Sequence, residues 1–298
     1  MDKKEISSWF QGLQDRICNE LEVIDGSSKF VEDTWQREGG GGGRTRVIQS
    51  GGVIEKGGVN FSEVSGKTPE AILTALDLGP SDFFATGVSI VLHPSNPWTP
   101  IIHMNVRYFE MSDGNYWFGG GIDLTPHYVD QTLASKFHER LKFTCDRFSD
   151  DYYPKFKQWA DDYFYLKHRK ETRGVGGLFF DRLSANDDFT KSDRWEFVKA
   201  LGETFIPAYS EQVQATREKV FTENEKTWQM LRRGRYVEFN LVWDRGTKFG
   251  LDTDGRTESI LMSLPPTANW AYDYQPAEGT KEAETLGFLK KDINWLDA

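Results

Sequence analysis

Apolar residues at Ile6, Trp9, Leu13, Ile17 and Leu21 recur every three to four positions, so the chain opens with an amphipathic helix. Residues 38–66 then carry one glycine cluster after another with short β-branched runs between them, a pattern that fits a flexible loop, a backbone cradle for a ligand or a linker. Thr68 and Pro69 read as the N-cap and first position of a short helix. Alternating patterns in "FFATGVSIVLHP" and "TPIIHMNVRYFEM" predict two strands joined by the turn "PSNPWTP", and "YWFGGGIDLTP" predicts a third. Helical spacing returns over residues 130–172, with Leu133, Phe137, Leu141 and Phe148 on one face and Phe156, Trp159, Tyr163 and Leu166 on the next. "GVGGLFFDRL" predicts a strand and residues 192–232 predict helices, while "GRYVEFNLVWDRG", "KFGLDT" and "TESILMSLPP" predict strands. Strands in adjacent groups, split by helix pairs without βαβ alternation, indicate an α+β fold: a large antiparallel β-sheet covered by α-helices on both faces. No composition break or repeat divides the chain, so residues 1–298 are expected to form a single domain.

Composition narrows the function. With 36 Lys and Arg against 46 Asp and Glu, the net charge is −10, a field that repels nucleic acid and anionic membranes. An anionic ligand must therefore be held by a few focused cations. Cys18 and Cys145 have no C-x-x-C spacing, which points to reduced, buried thiols. Neither a membrane-length apolar stretch nor a signal or transit pattern is present at the N-terminus, so a soluble cytoplasmic protein is expected.

Candidate chemistry sits at residues 99–126. Strand alternation puts Ile102, Met104, Val106 and Tyr108 on one face and His103, Asn105 and Arg107 on the other; Ser89 and His93 share a face of the preceding strand. An acid/base, an amide and a guanidinium converge near Asp123, which follows three glycines. A plain solvated sheet face would more often carry Lys, Glu and Thr. No H-E-x-x-H spacing joins the five histidines, no G-x-S-x-G occurs, and neither nucleotide-binding glycine motif is present.

The stretches "LHPSNPWTPIIHMNVRYFE", "WFGGGIDLTP", "DDYFYLKHRKETRGVGGLFFD" and "GRYVEFNLVWDRGTKFGLDTDGRTESILMSLPP" resemble the oxygen-dependent coproporphyrinogen III oxidases, in that family's order. The resemblance implies oxidative decarboxylation of two propionates of coproporphyrinogen III to vinyls, with O2 as co-substrate, no organic cofactor, and a homodimer joined through residues 236–271. It implies that His103 is a proton donor, that Asn105, Val106, Arg107, Ser89, Asp254, Gly255 and Arg256 contact substrate, and that Asp123 gathers the pyrrole N–H groups. Arg107 and Arg256 could then fork onto propionates. Some members are described with a divalent metal at histidines matching His93, His103, His138 and His168, others with none, so the resemblance leaves a metal site open; His127 has no counterpart in the motif. A non-catalytic tetrapyrrole carrier and a metal-dependent oxygenase of another substrate are the rival classes.

Overall fold

The computed structural model describes residues 1–68, 73, 79–252 and 255–297. Helix α1, Lys3–Asp25, starts at a capping box in which the Asp2 side chain accepts from the Glu5 backbone and Glu5 returns a bond to the Asp2 backbone. It ends at Gly26 in the left-handed conformation, as the apolar spacing requires.

Among the described residues seven antiparallel strands follow in one sheet: β1 (Val31–Gln36), β2 (Gly41–Gln49), β3 (Ile54–Lys67), β4 (Asp82–Pro94), β5 (Ile101–Met111) and β6 (Tyr116–Thr125) lie side by side in sequence order, and β9 (Gly177–Leu183) adds on beside β6. The crossover to β9 carries α2 (Gln131–Asp146), α3 (Tyr152–Tyr163) and the two-stranded hairpin β7 (Tyr165–Leu166) and β8 (Glu171–Thr172). Four more helices follow among the described residues before α8, namely α4 (Lys191–Thr216), α5 (Glu223–Glu238), α6 (Arg245–Asp252) and α7 (Thr257–Leu261), and α8 spans Lys281–Phe288. The α+β architecture agrees with the sequence reading.

One sheet face packs on α1, α2 and α4 through an apolar core that includes Phe10, Leu13, Ile90, Leu92, Ile102, Met104, Val106, Phe137, Phe197 and Phe205. The other face meets α5, whose Tyr236 packs on Val91 and Ile101, and the Phe239–Trp243 turn beyond it. No helix among the described residues is long and apolar enough to cross a membrane.

Three expectations change. Residues 38–66 are largely β2 and β3, neither loop nor linker, and several glycines there serve close packing: a Cβ at Gly58 would run into the Met262 side chain. The C-terminal "GRYVEFNLVW" and "TESIL" segments are helical rather than extended. Their β-branched and aromatic residues suggested strands, but buried Tyr236, Phe239 and Asn240 continue the helical burial of α5, whose first part falls within the helix expected over 192–232. Helix α3 stops at Tyr163, so Leu166 lies in β7 and His168 in the hairpin turn rather than on a helix. The helix expected to begin at Thr68 falls almost wholly outside the described residues.

Candidate active site

Alternation along β5 buries Ile102, Met104, Val106 and Tyr108 completely on the helix-packed face, so His103, Asn105 and Arg107 emerge on the other. Strand register extends each of them into a transverse row. Asn60, Ser89, Asn105 and Gly121 stand opposite one another across β3 to β6; Gly87, Arg107 and Gly119 form the next row, and His103 faces Asp123 in the row behind. Because Gly87, Gly119 and Gly121 carry no side chains, the middle of this face is a bare backbone floor. A groove of about 190 Å3 lies on it, lined by Asn60, Ser62, Ser89, Asn105, Arg107 and Trp117 among others. The larger cavity, about 390 Å3, lies between the start of α2 and α8 and contains none of these groups.

The His103 row is held from beneath. His103 Nδ1 lies 2.8 Å from Asp123 Oδ1, and no partner for Nε2 is found among the described residues. Arg173 grips the same carboxylate in a fork, Nη2 to Oδ1 at 2.6 Å and Nε to Oδ2 at 3.1 Å. Its third anchor is Asn240 Oδ1, 3.0 Å from Nη1. The guanidinium carbon sits 4.4, 4.7 and 4.6 Å from the ring centres of Phe164, Tyr236 and Phe239, so the cation is boxed in aromatic faces. Asp123 is 1% exposed. Burial alone would push its carboxyl upward, but the Arg173 charge and the His103 hydrogen bond outweigh this and hold it below the usual carboxylate range.

Arg107 is posed differently. Its Nη1 donates to Asn105 Oδ1 at 2.9 Å and its Nη2 to Asp181 Oδ1 at 2.8 Å, with both ion-pair partners about a third exposed. Such a pair holds the guanidinium in place for little energy, and a substrate carboxylate can displace Asp181 cheaply. A Cβ at Gly119 would stand 2.7 Å from both Arg107 Nη2 and Asp181 Oδ1, so glycine there is what lets this pair lie across β6.

Of the other expected residues, Ser89 and Asn105 join the row. Arg256 approaches its far end, donating from Nη1 to Ser259 Oγ at 3.2 Å and pairing with Asp33; Ser259 Oγ is in turn 2.7 Å from Thr45 Oγ1, which donates to Asn60. Gly255 lies beside Arg256, its N–H bonded to Gly250 O. Val106 is a correction: its side chain is buried on the opposite face, because strand alternation turns it away from Asn105 and Arg107. Asp254 falls outside the described residues.

The four candidate metal histidines do not fit a shared ion. His93 is buried with Nε2 2.8 Å from Ser263 O, and burial depresses its pKa to about 3. His138 lies across the sheet, between the Tyr153 hydroxyl and Val175 O, and burial likewise lowers it to about 3. His168 has both ring nitrogens engaged, by Glu238 and by the Trp243 N–H, and His103 is committed to Asp123. Among the described residues no group of three or more His, Cys, Asp or Glu side chains could hold a metal.

Residues 5–295 match the family described as coproporphyrinogen III oxidase. The chain belongs to that family. It is an oxygen-dependent oxidoreductase that carries out the oxidative decarboxylation of coproporphyrinogen III in haem biosynthesis. The sequence reading overlooked Arg173 and Asp181. Asp181 was detectable, since it lies two residues beyond Phe179 and so shares its face of β9; Arg173 carries no periodic signal, because it lies in an irregular stretch between β8 and β9.

Proposed function

We propose that the His103–Asp123–Arg173 chain is the proton-supplying centre of this oxidase, and that the glycine floor with Arg107 seats coproporphyrinogen III. The carboxylate of each propionate leaves as neutral CO2 while its two methylene carbons remain as the vinyl, and a β-hydrogen departs with two electrons that reduce O2 to hydrogen peroxide; conversion of the anion into neutral products takes up one proton per vinyl. An imidazole is a common general acid, and His103 is placed to supply that proton. The 2.8 Å bond from His103 Nδ1 to Asp123 carries this reading, because it fixes the ring with Nε2 as the nitrogen left to face a bound molecule. Asp123 acts through His103: with both oxygens engaged and 1% exposure, it holds the imidazole's proton in place instead of collecting pyrrole N–H groups directly. The porphyrinogen is electron-rich enough to reduce O2 itself, so the protein provides placement and charge without an organic cofactor or metal.

Arg107 takes one propionate by exchanging it for Asp181; Ser89, Asn105 and Arg256, with Gly255 beside it, border the rest of the ring. The reading extends to a cytoplasmic protein working as a single domain and as a homodimer. Leu241, Val242, Leu251 and Trp270, each more than 40% exposed, give residues 236–271 an apolar surface suited to a second copy. Sedimentation equilibrium at micromolar concentration tests the dimer. The site is tested by loading the protein with coproporphyrinogen III without oxygen and then admitting air: the wild type forms protoporphyrinogen, whereas His103→Gln retains bound substrate and does not convert it. Equal conversion by both would remove His103 from the chemistry.

A further inference from the structure

The floor ends in an aromatic wall that the proposed chemistry does not use. Phe109 and Trp117, cross-strand partners on β5 and β6, stack with ring centres 4.4 Å apart and planes 18° apart. Phe83 on β4 continues the stack onto Phe109 at 5.6 Å and 5°. These side chains follow the alternation of His103, Asn105 and Arg107 and so stand on the same face, Phe109 and Trp117 one row beyond Arg107, Gly87 and Gly119, and Phe83, opposite Met111, one row further. All three are half-buried, and Phe109 and Trp117 line the same groove as Ser89, Asn105 and Arg107. Arg37 lies over Phe83, 5.9 Å from its centre, with Nη1 3.4 Å from Ser65 O.

The face therefore has two unlike ends. His103 and Asp123 stand at one; three rows along β5, about 20 Å at strand spacing, the stacked rings stand at the other, and Arg107 lies between them. Isolated surface aromatics need no explanation, but a three-ring stack walling a groove presents a continuous apolar surface to whatever lies on the glycines. A carboxylate pressed against it would lose water without gaining a partner, whereas a methyl group or a pyrrole ring edge would gain contact.

We propose that the Phe83–Phe109–Trp117 stack seats a methyl-bearing edge of the tetrapyrrole, and that Trp117 is a specificity residue that selects against porphyrinogens carrying carboxylates on that edge. This rests on the reading of the glycine floor as the substrate seat. Trp117→Ala raises KM for coproporphyrinogen III about 3- to 10-fold with kcat within about twofold, and Trp117→Phe restores the wild-type KM to within about twofold. The wild type favours coproporphyrinogen III over the octacarboxylate porphyrinogen, in which acetates replace the ring methyls, and Trp117→Ala narrows that kcat/KM ratio at least threefold.

Binding is read independently by anaerobic fluorescence. Because the chain holds 10 tryptophans, the quench on adding substrate is compared between wild type and Trp117→Phe, and the wild type shows the larger quench. Unchanged KM and selectivity in Trp117→Ala, or equal quenching in both proteins, overturns the proposal. A fall in kcat at constant KM also overturns it, because the stack would then act on the chemistry and not on docking. Failure of the wild type to turn over coproporphyrinogen III would instead refute the seat itself.

Discussion

Arg173 takes both oxygens of Asp123 at 2.6 and 3.1 Å while three aromatic rings enclose its guanidinium, so the carboxylate that orients His103 is ionised by a partner buried as deeply as itself. Removing one member of a buried pair strands the other's charge, at a cost of about 3–5 kcal/mol. Arg173→Leu should lose that much at pH 7. Asp123 normally sits below its unfolded value, so its stabilising contribution is complete above about pH 5 and fades as pH falls through the folded value. Without Arg173 burial dominates and the order reverses, so the variant's deficit should shrink between pH 7 and pH 5. Urea denaturation at the two pH values checks this, and an equal deficit at both would contradict it.

Asp123→Asn separates positioning from charge. The amide keeps the size of the side chain but leaves Arg173 unneutralised, so both stability and turnover should fall. His103→Gln touches no buried charge to the same degree: kcat should drop by about 10² to 10⁴ with little change in KM and a modest loss of stability. A rise in KM alone would make His103 a propionate hydrogen-bond donor and not a proton source.

For Arg107 the expectation is a KM effect. Losing one or two charge-assisted hydrogen bonds to a propionate should raise KM about 10- to 100-fold in Arg107→Ala, with kcat largely kept. Gly119→Ala should reproduce part of this by displacing the Arg107–Asp181 pair. In an Arg107→Ala background Gly119→Ala should add nothing more, and independent, additive effects would show that Gly119 acts elsewhere.

The centre of this face was legible in sequence because strand alternation is strict: the spacing of His103, Asn105 and Arg107 fixes a common face, and the glycines before Asp123 mark a backbone left bare. What stayed hidden was supplied across large sequence distances. Arg173 reaches Asp123 from 50 residues away and has no local pattern of its own. Residues 192–232 read as helical, but the continuation from Gly234 read as a strand, because Tyr236, Val237, Phe239, Val242 and Trp243 are β-branched or aromatic and its inward members Tyr236, Phe239 and Asn240 are too few to show a helical period. The glycine-rich residues 38–66 misled in the opposite sense, since glycine there answers to crowding such as that of Gly58 under Met262 and not to flexibility.

The separate commitments of His93, His103, His138 and His168 predict indifference to chelators. Incubation with excess EDTA followed by desalting should leave full activity, with substoichiometric metal by elemental analysis. Loss of activity restored by one divalent ion would show that these side chains regroup, or that the ion binds elsewhere.

Acid sensitivity should come in part from Asp25, far from the site. At the end of α1 this carboxylate accepts from the backbone N–H groups of Ser28, Gly52, Val53 and Ile54 at 2.8–3.1 Å, clamping the turn into β3 to the helix. Burial opposes its ionisation, but these donors outweigh burial and bring its pKa down to about 2, from a model-peptide value of 3.8. A folded value below the unfolded one stabilises the native state by about 2 kcal/mol once both forms are ionised, fully above about pH 5, and the gain disappears as pH falls through 2. Asp25→Ala should therefore be less stable than the wild type by at least that amount at pH 6, because it also leaves inward N–H groups unbonded. By pH 3 about half of the ionisation-dependent part should be gone. Denaturant titrations of both proteins at pH 6, 4.5 and 3 give the comparison, and a gap that stays constant or widens toward acid would show that Asp25 holds the turn by shape and not by charge.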